Sequence, residues 1–146
     1  MEALIQLYSR DLEKLIQEIK EFQRENDLWV TTGNITNSAG NLCLHLVGNL
    51  NHFIGSVIGN SGYVRNREGE FQDKNIGKEK LIQMVYDTKK IVISTLQNFD
   101  TKSMQNNYPI QVFGNDMTYE YFLLHLSTHL NYHLGQINYL RRSLKA

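Results

Sequence analysis

The sequence predicts an all-α protein, a four-helix bundle with long crossover connections. Two observations predict it. Four segments repeat apolar residues at steps of three and four between recognisable start and stop signals. One connection, residues 59–77, is glycine-rich and long enough to cross the end of a bundle, so sequence neighbours need not be antiparallel neighbours.

The first helix is expected over residues 2–24, where Leu4, Tyr8, Leu12, Leu15, Ile19 and Phe22 form an apolar stripe among acids and bases. The second begins at Asn37 or Ser38, both good N-caps, and runs to Ile58, ahead of Gly59-Asn60. The third spans residues 78–96, with Leu81, Val85, Thr88 and Val92 on one face. The fourth follows the N-cap Thr118 and reaches Ser143, a length of about 38 Å. Arg141, Arg142 and Lys145 suit the negative end of its dipole. Residues 25–36 form a linker; in residues 98–117 the alternation of Ile110 and Val112 predicts a short extended piece, with a turn at Gly114-Asn115.

The 146 residues fit one domain, 1–146. Fifteen basic and fifteen acidic residues cancel, and no segment carries a basic stripe, which argues against nucleic acid as a partner. The single cysteine, Cys43, excludes an intramolecular disulfide framework and reads as a small buried hydrophobe. Residues 42–58 include Asn49, Asn51 and two histidines, too polar for a membrane span. MEALIQLYSRDLEK shows no basic region followed by an apolar run. The expectation is a soluble, cytoplasmic protein.

Two stretches lack Asp, Glu, Lys and Arg: Leu28–Val64 and Tyr121–Leu140. Exposed helices normally carry charge, so the second and fourth helices should be the most buried. Each nevertheless carries a neutral polar stripe: Asn41, His45, Asn49, His52 and Ser56 on one, and His125, His129, His133 and Gln136 on the other. Buried polar groups need partners. The two stripes are therefore expected to face one another across a cavity.

His125, His129 and His133 sit four residues apart. Imidazoles at that spacing share a helix face and can reach one metal ion. Residues eight apart lie about 12 Å apart along the axis, so His125 and His133 cannot easily share an ion. Spacing leaves both His125/His129 and His129/His133 open. His45 and His52 are separated by about 10 Å in the same way, so one of them at most completes the set. Three histidines with an open position match a catalytic metal site. The competing reading is a buried hydrogen-bond network. A carboxylate-bridged di-iron site is excluded, because the second helix has no glutamate.

NSAGNLCLHLVGNLNHFIG (residues 37–55) and HLSTHLNYHLGQINYLRR (residues 125–142) resemble the motifs of the DinB-like family of bacterial four-helix bundles, which includes a bacillithiol-dependent transferase type. GYVRNREGEF, residues 62–71, resembles a signature of an uncharacterised branch. The resemblance covers essentially the whole chain. It implies metal ligation by His45, before Leu46, and by His129 and His133, before Gly135-Gln136-Ile137. It implies zinc or nickel, and activation of a low-molecular-weight thiol such as bacillithiol toward a small electrophile. It also implies a homodimer.

Around that trio, Asn49 and Gln136 are candidates to orient ligands, and His52 and His125 to line the cavity. His125 is also the nearest candidate general base. Arg65 or Arg67 could pair with a carboxylate of the thiol or substrate, although a solvated loop with surface ion pairs is the favoured reading of Arg65, Arg67, Glu68 and Glu70. Tyr132, Tyr139 and Trp29 read as core or dimer-contact aromatics. Without turnover, the same site would make a metal- or small-molecule-binding module.

Overall fold

A computed structural model describes residues 1–144. Lys145 lies outside the described residues. The helices are α1 (Glu2–Lys20), α2 (Ala39–Leu50), α3 (Arg67–Gln72), α4 (Lys78–Gln97) and α5 (Tyr119–Ser143). A π-helical segment, Asn51–Ser56, continues α2.

The apolar stripes explain the packing. α1 buries Leu4, Tyr8, Leu12, Leu15, Ile16 and Ile19, and α4 buries Leu81, Val85, Val92 and Leu96. α1 packs on α4 and α5, while α2 packs on α5, α4 and α3. The four long helices therefore run around the core in the order α1, α4, α2, α5. α1 and α2, consecutive in sequence, stand diagonally, as a crossover connection requires. Every residue of α2 is buried, which is where its lack of charge leads. Among the described residues, no helix is long and apolar enough to cross a membrane.

Local signals set most boundaries. Ser38 Oγ accepts from Asn41 N–H at 3.2 Å, and Thr118 Oγ1 accepts from Tyr121 N–H at 3.1 Å, so the two caps begin α2 and α5. α1 stops at Lys20, short of Arg24. Phe22 N–H donates to Ile19 in a tighter turn, the chain is extended by Arg24, and Phe22 is still buried. Ile110 and Val112 form no strand. Their backbone closes local turns (Val112 N–H to Ile110 O, Gly114 N–H to Gln111 O), and Gly114 takes a φ of +81° at the expected turn. Tyr132 and Tyr139 are not core residues: they are 65% and 73% exposed. Trp29 is half-buried against the core.

The largest departure is in residues 59–77. This connection is mostly exposed, Arg67 and Glu68 included, as a solvated loop would be, but Arg65 and Glu70 pair on its inner side with Glu70 buried. It contains α3, whose N-cap Asn66 accepts from Gly69 N–H at 3.0 Å. Asn41 of α2 anchors the segment, donating to the carbonyls of Glu70 at 3.0 Å and Asp73 at 2.9 Å and accepting from Lys74. Asn41 thus holds a connection in place and does not line a cavity.

Candidate metal centre

α2 and α5 run antiparallel, with Phe53 against Phe122 at one end and His45 against His129 and His133 further along. Nε2 of His129 lies 3.2 Å from Nε2 of His45 and 3.2 Å from Nε2 of His133. One nitrogen from each ring lies within 4.8 Å of the other two, a spacing at which one metal ion could be held.

The far nitrogens set the tautomers. His45 Nδ1 is 3.0 Å from Glu70 Oε1. Burial pushes the Glu70 carboxyl pKa up, but hydrogen bonds from Arg65 and His45 and their charges outweigh this and hold it below the usual range. An ionised carboxylate only accepts, so His45 Nδ1 carries a hydrogen, and in the neutral ring, the form that can ligate a metal, Nε2 has a lone pair. His133 Nδ1 is 2.6 Å from Gln136 Oε1 and donates to it, which again leaves Nε2 a lone pair. Both lone pairs face His129 Nε2, which has at most one hydrogen to give. Burial first, then the neighbouring histidines and Arg65, push the His129 pKa down to about 3. Burial also lowers that of His133, against the hydrogen bond it donates to Gln136. Neutral imidazoles converging with surplus lone pairs fit a divalent cation, and zinc, nickel, copper and iron all accept such donors.

Glu70 is the functional residue that sequence reasoning missed. Arg65 grips it with two hydrogen bonds of 2.8 Å, and its side chain is 5% exposed. The carboxylate lies against the backbone of α2 at Gly48, where an added Cβ would overlap it. Carboxylate–histidine pairs of this kind orient metal-binding rings. Asn66 ahead of two acids was the available signal for α3, but only the tertiary structure brings Glu70 to His45.

The other candidates fall outside the trio. His125 stacks on His129 with ring centroids 6.2 Å apart, and Phe113 and Phe122 flank it at 4.8 and 6.0 Å. His52 stands against Phe53 at 4.8 Å, and burial lowers its pKa. Asn49 is buried, and its Oδ1 has no hydrogen-bond partner; nor has His129 Nδ1. Arg65 is already held by a carboxylate of this chain, and Arg67 is exposed at the start of α3.

A cavity of about 580 Å³ adjoins the trio, reaching His133 and Gln136. The fold and this site define a helical bundle with a three-imidazole pocket. Residues 2–146 match the family described as "Protein of unknown function (DUF1572)", a DinB-like family, and the chain belongs to it. No curated protein matches the chain. It is similar to the crystal structure of a DinB-like protein from Bacillus cereus ATCC 10987. Identity is 18%, over 99% of this chain and 92% of that one, with a TM-score of 0.78. The fold is DinB-like.

Proposed function

We propose that His45, His129 and His133 hold a divalent metal, zinc or nickel, and that the site carries out metal-dependent S-transfer of a low-molecular-weight thiol such as bacillithiol. The observation behind this reading is the convergence of three Nε2 atoms, two of them with tautomers set by Glu70 and Gln136. When bound, such a metal supplies Lewis acidity that keeps a thiol sulfur deprotonated near neutral pH. The chain's residues do the rest. Glu70 holds the His45 ring at Nδ1, Arg65 keeps Glu70 ionised, and Gln136 fixes His133. His125, one turn from His129, is the nearest ring to accept a proton.

The second reading is a metal- or small-molecule-binding module without turnover. The observation favouring it is the position of His125, packed between aromatic rings. We also propose a homodimer, with exposed Tyr121 and Leu124 of α5, which lie outside the cavity beside His133, as contact residues; sedimentation velocity tests it. Neither nucleic acid nor membrane is proposed as a partner.

Elemental analysis of untagged protein is the first test of the metal. Occupancy near one equivalent, native or after adding zinc or nickel, is expected; less than about a tenth overturns the site. Thiol-transfer assays with several thiols and an electrophilic probe come second. No metal-dependent rate with any thiol selects the binding module.

A further inference from the structure

We propose that the cavity beside His133 is the electrophile pocket of this centre, and that it takes an uncharged, ring-bearing organic molecule. The assignment rests on the metal reading of the trio and adds a substrate class to it. Three elements form the cavity: the segment 32–37 ahead of α2, Leu42 of α2, and the C-terminal half of α5. Its volume of about 580 Å³ suits one small organic molecule.

The chemistry of the walls selects the ligand. Ile35, Leu42 and Leu140 give apolar surface, and Tyr132 and Tyr139 stand at the cavity as largely exposed rings. The remaining groups are neutral hydroxyls and amides, with His133 and Gln136 on the side of the trio. Among the described residues, no Asp, Glu, Lys or Arg lines the cavity. An anion entering it would give up water and find no cation in return, which is costly. An uncharged ring would instead cover apolar wall and stack against tyrosine. Arg142 lies over the Tyr139 ring of the wall at 5.6 Å, although it does not itself line the cavity, and Arg65 is gripped by Glu70. A thiol bearing carboxylates would therefore approach the trio from another side, leaving this cavity to the second reactant.

A matched pair of fluorescent probes tests the charge rule. N-phenyl-1-naphthylamine is uncharged; 8-anilino-1-naphthalenesulfonate has the same rings and a sulfonate. Titrated into the full chain, the uncharged probe should bind at least about tenfold more tightly. Tyr139→Ala should weaken it roughly fivefold, and Tyr139→Lys should narrow the gap by favouring the sulfonate. Equal or tighter binding of the sulfonate by the parent, or no change with Tyr139→Ala, overturns the pocket assignment. Metal content measured on the same samples separates the two readings. His45→Ala should lose metal and keep the probe, because His45 does not line the cavity. Probe binding to a parent that takes up no metal overturns the metal reading alone. Metal on a parent that shows no preference for the uncharged probe overturns the pocket alone.

Discussion

α5 has two polar seams, and they differ in one respect. Toward α1, each polar group meets a partner of fixed chemistry. Tyr8 Oη donates to Leu123 O at 2.6 Å, Asn131 donates to Asp11 at 3.1 Å, and Asn138 and Arg141 donate to Glu18 at 2.7 and 2.6 Å. Toward α2, the groups are all neutral and their needs do not close. Three imidazole nitrogens converge with lone pairs to spare, and His129 Nδ1 and Asn49 Oδ1 stand without partners. Buried polarity alone marks neither seam as functional. The surplus of acceptors separates them, because buried acceptors without a protein donor need an ordered water or a cation as partner.

Removing a member of the trio should have the largest effect on this contrast. His129→Ala is expected to drop metal occupancy below about a tenth of an equivalent, as are His45→Ala and His133→Ala. His125→Ala should keep its metal, since that ring lies among Phe113, Phe122 and His129. Elemental analysis of the four variants checks this. Equal loss in His125→Ala and His129→Ala would mean that the α2 seam binds metal through a different pair.

The histidine ladder also shows where a sequence stops being informative. The helices carrying it were legible, because Ser38 and Thr118 are strong caps; the absence of charge announced burial correctly for α2 but not for α5, whose uncharged outer face exposes Tyr121, Leu124, Tyr132 and Tyr139. Which two rungs meet His45 was not legible from spacing, since all three are equally spaced. The answer depends on the antiparallel register of α2 on α5, a tertiary quantity; the family resemblance supplied it instead. Glu70 was hidden for a related reason. It sits on a six-residue helix too short for periodicity to register, and its partners Gly48 and His45 lie more than twenty residues upstream. Most of residues 59–77 is exposed as composition suggests, but one ion pair, Arg65–Glu70, turns inward, which composition cannot show.

Glu70 gives the next prediction. Glu70→Gln keeps the shape but removes the charge that pairs Arg65 and orders His45. Metal affinity should fall roughly 10–100-fold with all three histidines intact. Gly48→Ala should go part of the way without replacing any polar group. The new methyl group would overlap the Glu70 carboxylate, which is pinned by Arg65 and His45 and cannot swing aside freely. Overpacking of this kind costs about 1–3 kcal/mol, so thermal stability and metal affinity should drop together. Unchanged metal affinity in both variants would show that Glu70 braces the fold and does not orient His45.

The α1 seam supplies the smallest effect and the control for the rest. Asn131→Ala deletes one hydrogen bond to Asp11, whose carboxylate is 1% exposed and also accepts from Arg10. Because Arg10 remains, Asp11 is not stranded. The cost should be that of a single net hydrogen bond, about 0.5–1.5 kcal/mol, seen as a fall in Tm of roughly 2–4 °C. Metal occupancy should not change, because Asn131 contacts α1 and none of the three imidazoles. A loss of metal in Asn131→Ala would mean that the two faces of α5 are coupled through the helix. Its polar groups would then have to be treated as one network, and the distinction between a closed seam and an open one would fail.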